Sequence, residues 1–486
     1  MYIITGTRQA PTLGGSKNYD SGILYVTKNI DESKNVSYEF RDRQGKIILT
    51  RQISDNKNHD TYYVYDDYGN ICFVLPPMVE GQKDAATLSL LAFQYRYDDR
   101  NLCIWKKLPG CEPIYYVYDK ADRVILSQDG EQRENNKNDW SFIKYDNFGR
   151  VILTGIAQLE KKLTHSSLLA TYKNVFVKEN IQSGSFYGYT WNTLGEVPYS
   201  AVLTANYYDD IDTMLNISSD LKTKLSYIPK STYGTKHTSS KGLLVGTRVK
   251  YTDGNGNIGG EIATAMYYDI KGQLIQTQST NHLGGTESEY VSYNFTGQPI
   301  HKQHVHKYPG KVDQTEIYTY EYDHAGRLLA TTHKLNTGAA VILAQNTYDD
   351  LGRLKSTTAN NQSALTTNYS YNIRSWTKSI SNPLFSQTLS YNLNGNIKTQ
   401  EWVQNNKKLT YQFTYDGLSQ LTKAQYTGDG NFSTSYTYDK HGNITKLTRD
   451  GLTAASKYGT IDSLSFDYKG TGNQVKYITD LGPNVD

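Results

Sequence analysis

Proline accounts for only 11 of the 486 residues and cysteine for 3. A proline content of about 2 %, against a usual ~5 %, leaves backbone N–H donors available along nearly the whole length and argues against a disordered chain. The cysteines (Cys72, Cys103, Cys111) are odd in number and confined to one quarter of the sequence, which excludes a disulfide framework. No run of about 18 apolar residues is present, so no membrane-spanning helix is expected. The opening MYIITGTRQAPTLGGSK lacks the charged-then-apolar order of a signal peptide. Neither sign of charge dominates: 51 Lys and Arg oppose 48 Asp and Glu, for a formal net charge of +3. Like charges never form a long block, so the concentrated basic surface that a nucleic-acid partner requires is missing.

Tyrosine is what the chain has in excess, with 43 against 12 Phe and 5 Trp. Apolar residues make up 37 % with tyrosine counted and about 28 % without it, thin for a chain of this length to fill solid cores. A ring that is apolar on its body and polar at its tip suits packing in thin, half-wet layers.

One pattern recurs: an alternating aromatic run, then Asp or Asn, two residues, Gly, a polar residue and an aliphatic one. The clean copies are anchored at Asp66 with Gly69, Asp146 with Gly149, Asp269 with Gly272, Asp323 with Gly326, Asp349 with Gly352 and Asp439 with Gly442. Asn replaces Asp at Asn192, Asn294 and Asn392, where Gly195, Gly297 and Gly395 follow. Degenerate copies start at Asp42, Asp98, Asp119, Asp209, Asp253, Asn372, Asp416 and Lys469; in several the Gly is Asn101, Asp122, Asp212, Ser375 or Ser419. That makes 17 anchors at a mean spacing of about 27 residues. A unit this short cannot bury a face alone and must stack on its neighbours.

The motif has a conformational explanation. Tyr318, Tyr320 and Tyr322 alternate with Thr319 and Glu321, the period of a strand. Asp or Asn opening a type I turn accepts an N–H from two residues on, and Gly in fourth place supplies φ > 0 and a bulge. Asn and Asp, frequent replacements for that Gly, are the residues that tolerate the left-handed region best. Each unit therefore reads as a β-hairpin. Seventeen hairpins make about 34 strands, a ribbon roughly 160 Å long at ~4.8 Å per strand. Open sheets rarely exceed about ten strands without curling, so the ribbon is expected to wind into a wall wet on both faces, with tyrosine stacks in place of a conventional core. Closed in a single layer, it would be about 50 Å across, too wide for side chains to fill.

These tandem Tyr-Asp-x-x-Gly units resemble the YD repeats of Rhs-type proteins, which also occur in insecticidal toxin-complex components and teneurins. Thr61–Pro77, Tyr118–Val124 and Asn394–Ile397 look most like the Rhs-like proteins of Bacteroidetes. The fold class expected is all-β: tandem hairpins in a spiralling, curved antiparallel sheet, a partial hollow shell with a few short helical insertions. The resemblance implies a secreted or surface-borne, non-enzymatic structural shell that encapsulates or presents a C-terminal toxin. Its partner would be the remainder of its own longer polypeptide, and no cofactor is implied. The alternative is a cell-surface adhesin or carbohydrate-binding module whose partners are glycans or receptors. A self-cleaving aspartate core would also be implied; no counterpart precedes Asp486, so the chain reads as an internal piece or a degenerate gene.

The domain reading is an edge segment over 1–35, the repeat region over 36–478 and a tail over 479–486. Three insertions break the rhythm. Residues 78–93 suit a short helix after Pro76-Pro77. Residues 157–180 read as an amphipathic helix with Leu159, Leu163, Leu168 and Leu169 apolar. Residues 213–246 combine a helix near Met214–Leu225 with a polar loop. Their plain reading is loop decoration, the alternative a plug or lining.

Other candidates weaken on inspection. In His301-x-x-His304-x-His306 only His304 and His306 share a strand face, so a third metal ligand is missing. Asp253-Gly-Asn-Gly-Asn257 starts like a calcium loop but has Ile258 where Gly belongs. Gly14-Gly15-Ser16-Lys17 lacks phosphate-loop spacing. The cysteines have no histidine partner nearby and read as inert. The periodic carboxylates read as turn caps rather than a catalytic pair.

Overall fold

The computed structural model describes residues 2–15, 18–136, 138–182, 186–191, 202–255, 257–404, 407–454, 457–470 and 472–483. The copy at Asn192 and Gly195, Gly256, and Ser16-Lys17 lie outside the described residues. The chain divides into two units, Met1–Tyr115 with Asn368–Asp486, and Tyr116–Thr367. Both are antiparallel hairpin arrays with few helices, the architecture the repeat implies.

In the first unit the strands from Tyr25–Ile30 to Cys103–Lys107 pair each with the next. A second run, from the pairing of Asn368 with Ser381 onward to Tyr477–Asp480, does the same. A separate hairpin, Ile3–Thr7 with Ala10–Gly14, lays Ile4 and Leu13 on a core of Val64, Cys72, Phe73, Leu75, Val79, Leu88 and Ala92. The expected helix after Pro76-Pro77 is a 3-10 turn, Pro77–Val79, then Ala85–Leu91, capped by the Asp84 carboxylate on the Thr87 N–H.

In the second unit consecutive pairing runs from Val124–Gln128 to Leu354–Ala359. Two of its helices depart from expectation. The strand Val151–Gln158 runs on to the end of the repeat, so Leu159 and Leu163 precede the helix, which covers only His165–Tyr172. Thr164 starts it by accepting the Ser167 N–H, a cap that the apolar spacing did not reveal. The helix expected near Met214–Leu225 is two, Asp212–Leu215 and Ser219–Leu225, divided where Ser218 caps the second. The copy at Asp209 accordingly never closes a four-residue turn: Asp212, in the glycine position, opens a helix, and the sheet resumes at Ser240, which pairs with Asp209.

The insertions are more than decoration. Met214, Leu215 and Leu225 are buried with Ala263, Ala265 and Tyr267, and the Tyr267 hydroxyl donates to the Leu225 carbonyl at 2.5 Å. The wall is therefore not wet on both faces throughout: helices supply apolar cover where strands carry rows of buried residues. From Pro299 to Gln404, by contrast, Ala330 is the one buried apolar side chain among the described residues. Aromatic contacts hold the polar stretches instead, among them Tyr318 on His333 at 4.7 Å, Tyr411 on Tyr426 at 5.3 Å and Trp402 on Tyr411 at 5.6 Å.

Candidate functional site

The repeat corner is the recurring chemical unit. In the corner at Asp323, the Gly326 N–H donates to the Asp323 carbonyl at 3.0 Å and the Asp323 N–H to the Arg327 carbonyl at 3.0 Å. One carboxylate oxygen accepts the N–H groups of Ala325 and Arg327, both at 2.9 Å. The other accepts Arg327 Nε at 2.7 Å. Gly326 lies at φ +80°, and the register slips between Glu321 and Tyr322 as a bulge demands. Asp66, Asp146, Asp269, Asp349 and Asp439 make the same double N–H capture.

The fourth-position glycines contribute backbone alone. Gly69, Gly149 and Gly272 lie at φ +89°, +79° and +75°. Their N–H groups donate to the carbonyls of Asp66, Asp146 and Asp269 at 3.0, 3.1 and 3.1 Å. Gly352 and Gly442 do the same for Asp349 and Asp439 at 2.9 and 3.1 Å. Where Gly is absent, Asn101, Asp122, Ser375 and Ser419 occupy the left-handed region at φ 62°, 59°, 61° and 62°.

Among the described residues, corners that went unseen in the sequence include those at Asp31 and Asn281. Asp31 caps Ser33 and Asn35 with Lys34 at φ 68°, and Asn281 caps Leu283 and Gly285. Both lie on the sheet edge opposite the motif corners. The signal for the first was an Asx four residues before Asn with no glycine between, too weak a pattern to stand alone.

The corner carboxyls of Asp323 and Asp349 are held below the ordinary carboxylate range, first by the backbone N–H groups of Arg327 and Arg353. Their charge therefore serves the corner and is unsuited to proton transfer at neutral pH.

The motif tyrosine has its own bond. The hydroxyls of Tyr65, Tyr97, Tyr145, Tyr208, Tyr293, Tyr322, Tyr348, Tyr391, Tyr415, Tyr438 and Tyr468 donate to the carbonyls of Ile47, Ile71, Val124, Val151, Leu274, Pro299, Leu328, Thr377, Ile397, Leu421 and Ile444 at 2.7–3.2 Å. Each acceptor is the second residue after the fourth position of the preceding corner, except that Tyr208 reaches Val151, which follows Gly149 of the corner at Asp146, with the copy at Asn192 lying between in sequence. Phenylalanine would fill the same space without this bond. The residue between reaches the next corner: Arg150 pairs with Asp209 and covers the Tyr208 ring at 4.4 Å, and Gln298 donates to the Gly326 carbonyl at 2.7 Å.

In the first unit, corners also meet chain far away in sequence. The Gly417 N–H donates to Ser54 Oγ and the Met78 N–H to His441 Nε2, each at 3.2 Å; Lys440 pairs with Glu80, and Arg374 with Glu32 at 3.9 Å. A Cβ on Gly417 would stand 2.8 Å from the Ile53 carbonyl oxygen, so only glycine fits there. Gly417–Ser54, His441–Met78 and Gln474–Cys111 each span 363 residues. The motif-corner edge of one array thus runs along the loop edge of the other at constant offset. A groove of about 540 Å³ lies there, lined by Lys57, His59, Glu80, Asp416, Asp439 and Lys440. Three of its carboxylates are engaged: Asp416 and Asp439 cap their own corners, and Glu80 holds Lys440; Asp55 lines it as well.

The other candidate groups singled out in the sequence have these partners. His304 Nε2 and His306 Nδ1 meet the Glu287 carboxylate at 2.9 and 2.6 Å, while His301 meets Thr319. No group of three or more metal-type side chains poised to hold an ion occurs among the described residues. Asp253 accepts the N–H groups of Asn255 and Asn257. Cys72 is buried, and burial pushes its thiol up to about 12. Lys144 and Glu179 form a fully buried pair at 2.8 Å, fixing the 173–182 segment to the sheet.

Residues 381–477 match the family model of the teneurin YD-shell. No curated protein matches the chain. Among solved structures, a chain of the Photorhabdus luminescens Tc holotoxin pore is similar at 15 % identity and a TM-score of 0.62, over 92 % of this chain and 20 % of that one. Crystal structures of TcdB2-TccC3-Cdc42 and TcdB2-TccC3-TEV align over 89 % and 91 % of this chain and 24 % and 25 % of theirs, at 11 % and 13 % identity and TM-scores of 0.33 and 0.29. This chain spans about one fifth of the length of the holotoxin chain it matches. The likeness at 0.62 is one of fold: an antiparallel array of YD hairpins.

Proposed function

We propose that this chain is a stretch of structural wall: a non-enzymatic YD-repeat segment of an Rhs-like shell, secreted or surface-borne. It encloses or presents a C-terminal toxin or effector carried on the remainder of the same longer polypeptide. The observation that carries this reading is the use of the motif's polar groups. The corner Asp or Asn closes its own turn, the tyrosine hydroxyl ties its hairpin to the one before, and the residue after Gly reaches the one after. In the corners among the described residues these groups are committed to the turn and its neighbours, and a cross-braced strip of that kind suits a barrier that excludes proteases from cargo. The fold likeness to the Tc holotoxin pore chain supports the same reading.

The test is limited proteolysis of the product of the native reading frame, followed by mass spectrometry. Cargo sequence should survive together with the wall and become digestible only once the sheet is unfolded. Cargo digested as fast as an unfolded control, with the wall intact, would sink the proposal.

A carbohydrate-binding or adhesin role is the second reading, favoured by the rings of Phe148 and Phe295, which are 79 % and 92 % exposed at corner tips. Retention on a glycan array that both Phe→Ala changes remove would support it.

A further inference from the structure

His441 enters the seam of the first unit through both ring nitrogens. The Met78 N–H, on the loop edge, donates to Nε2 at 3.2 Å, and Asn473 Oδ1 lies 2.8 Å from Nδ1. A backbone amide can only donate, so Nε2 must present its lone pair. The proton of the neutral ring then sits on Nδ1 and is donated to Asn473, whose Oδ1 also accepts Asn443 Nδ2 at 3.1 Å. One tautomer of the uncharged imidazole satisfies both partners. The imidazolium cannot, because its Nε2–H would face the Met78 N–H, donor against donor.

We propose that this ring makes the seam acid-sensitive: neutral His441 fastens the Met78 loop to the corner at Asp439, and protonation at Nε2 releases it. The sign follows from the geometry. Since the bonded form is the neutral one, the contact is complete above the range in which histidines gain their proton, about pH 5–8, and is lost as pH falls through that range.

The charged surroundings keep the response local. Asp439, on the same corner, accepts the His441 N–H at 2.8 Å, and Lys440 pairs with Glu80 across the seam. Asp55, Lys57 and Asp416 line the groove on the Met78 side. A second groove of about 690 Å³, lined by Glu39, Arg51, His59 and His441 itself, gives the ring access to water and so to protons. Carboxylates, lysines and arginines of ordinary acidity hold their charge across the histidine range. Of the groups named, His59 alone is of a type that titrates there, and it acts in the other sense: its Nδ1 lies 3.4 Å from the Lys440 carbonyl, an acceptor that a protonated ring still serves. The neighbouring backbone contact across the seam, Gly417 N–H on Ser54 Oγ, contains no group that titrates in this range. Acid therefore frees the seam at Met78 and leaves it closed at Gly417. The inference rests on the seam geometry and goes beyond the shell reading, which requires no response to pH.

Hydrogen exchange of the whole chain, read by mass spectrometry as protection factors at about pH 7.5 and about pH 5.5, tests it. Protection of the segment holding Met78 should fall about fivefold or more at the lower pH, the worth of one hydrogen bond, while the segment holding Gly417 keeps its protection and serves as internal reference. His441→Gln, whose Oε1 accepts an N–H at either pH, should remove the acid response. His59→Gln should leave it in place, and circular dichroism checks that both variants keep the fold. Equal protection of the Met78 segment at the two pH values overturns the inference. So does a parallel loss at Gly417, an acid response that survives His441→Gln, or one that His59→Gln removes.

Discussion

Removing one oxygen atom tests the account of the motif tyrosine. Tyr322 donates to the Pro299 carbonyl at 3.0 Å, while Tyr320, two residues earlier in the same strand, stacks beside Tyr318 with no side-chain hydrogen bond among the described residues. Tyr322→Phe keeps the ring and leaves a half-buried carbonyl without its donor. A net hydrogen bond is worth about 1 kcal/mol, more where the abandoned acceptor stays dry, so a loss of ~1–1.5 kcal/mol is expected. Tyr320→Phe deletes the same oxygen and should cost under about 0.5 kcal/mol. Combining Tyr322→Phe with Tyr348→Phe, Tyr415→Phe and Tyr438→Phe removes four bonds at separate corners, to carbonyls of Pro299, Leu328, Ile397 and Leu421. Near-additivity puts the sum at ~4 kcal/mol, a large share of the ~5–15 kcal/mol typical of a domain. Urea unfolding followed by circular dichroism reads these differences as midpoint shifts at constant slope. A quadruple variant within about 0.5 kcal/mol of the parent, or equal costs at Tyr320 and Tyr322, would refute the role given to the hydroxyl.

Three further outcomes are expected. Gly326→Val and Gly352→Val force a β-branched residue to φ near +80° and should each destabilise by about 1 kcal/mol or more in the same urea assay, whereas Gly254→Ala, with open space around it and no positive φ, should cost less. The depressed carboxyls of Asp323 and Asp349 stabilise the fold above the ordinary Asp range near pH 4 and lose that contribution as pH falls through their folded values; Asp323→Asn with Asp349→Asn should flatten the stability–pH curve below about pH 4, and an unchanged acid limb would contradict the assignment. Lys144→Met alone strands the buried Glu179 carboxylate and should cost ~3–5 kcal/mol by thermal or urea unfolding, much of it regained by adding Glu179→Leu.

The corners were legible because their chemistry is local: an Asx, the amides two and four residues on, and a left-handed fourth residue all fit within five positions. The tyrosine bond was not, since its acceptor lies 14–26 residues upstream or further and the sequence carries no mark on a carbonyl. Leucine spacing over-extended the helix at 157–180, because Leu159 and Leu163 have the right period but stand before the Thr164 cap. The carboxylate at Asp209 looked like a corner; it pairs instead with Arg150, and the glycine-position Asp212 opens a helix. Composition pointed to thin, polar layers, true of the strands from Pro299 to Gln404, but it could not tell which faces Met214, Leu225 and their neighbours would cover. The edge-to-edge seam was invisible for a plainer reason: contacts spanning 363 residues leave no local signature.

That span has a consequence for biosynthesis. At about 5–20 residues per second, the ribosome needs roughly 20–70 s after making Ser54 and Met78 before Gly417 and His441 exist to meet them. Hairpins of adjacent strands close within microseconds. The nascent strip therefore folds long before its lateral bond can form, and through that interval the early edge stands bare to chaperones and to other nascent chains.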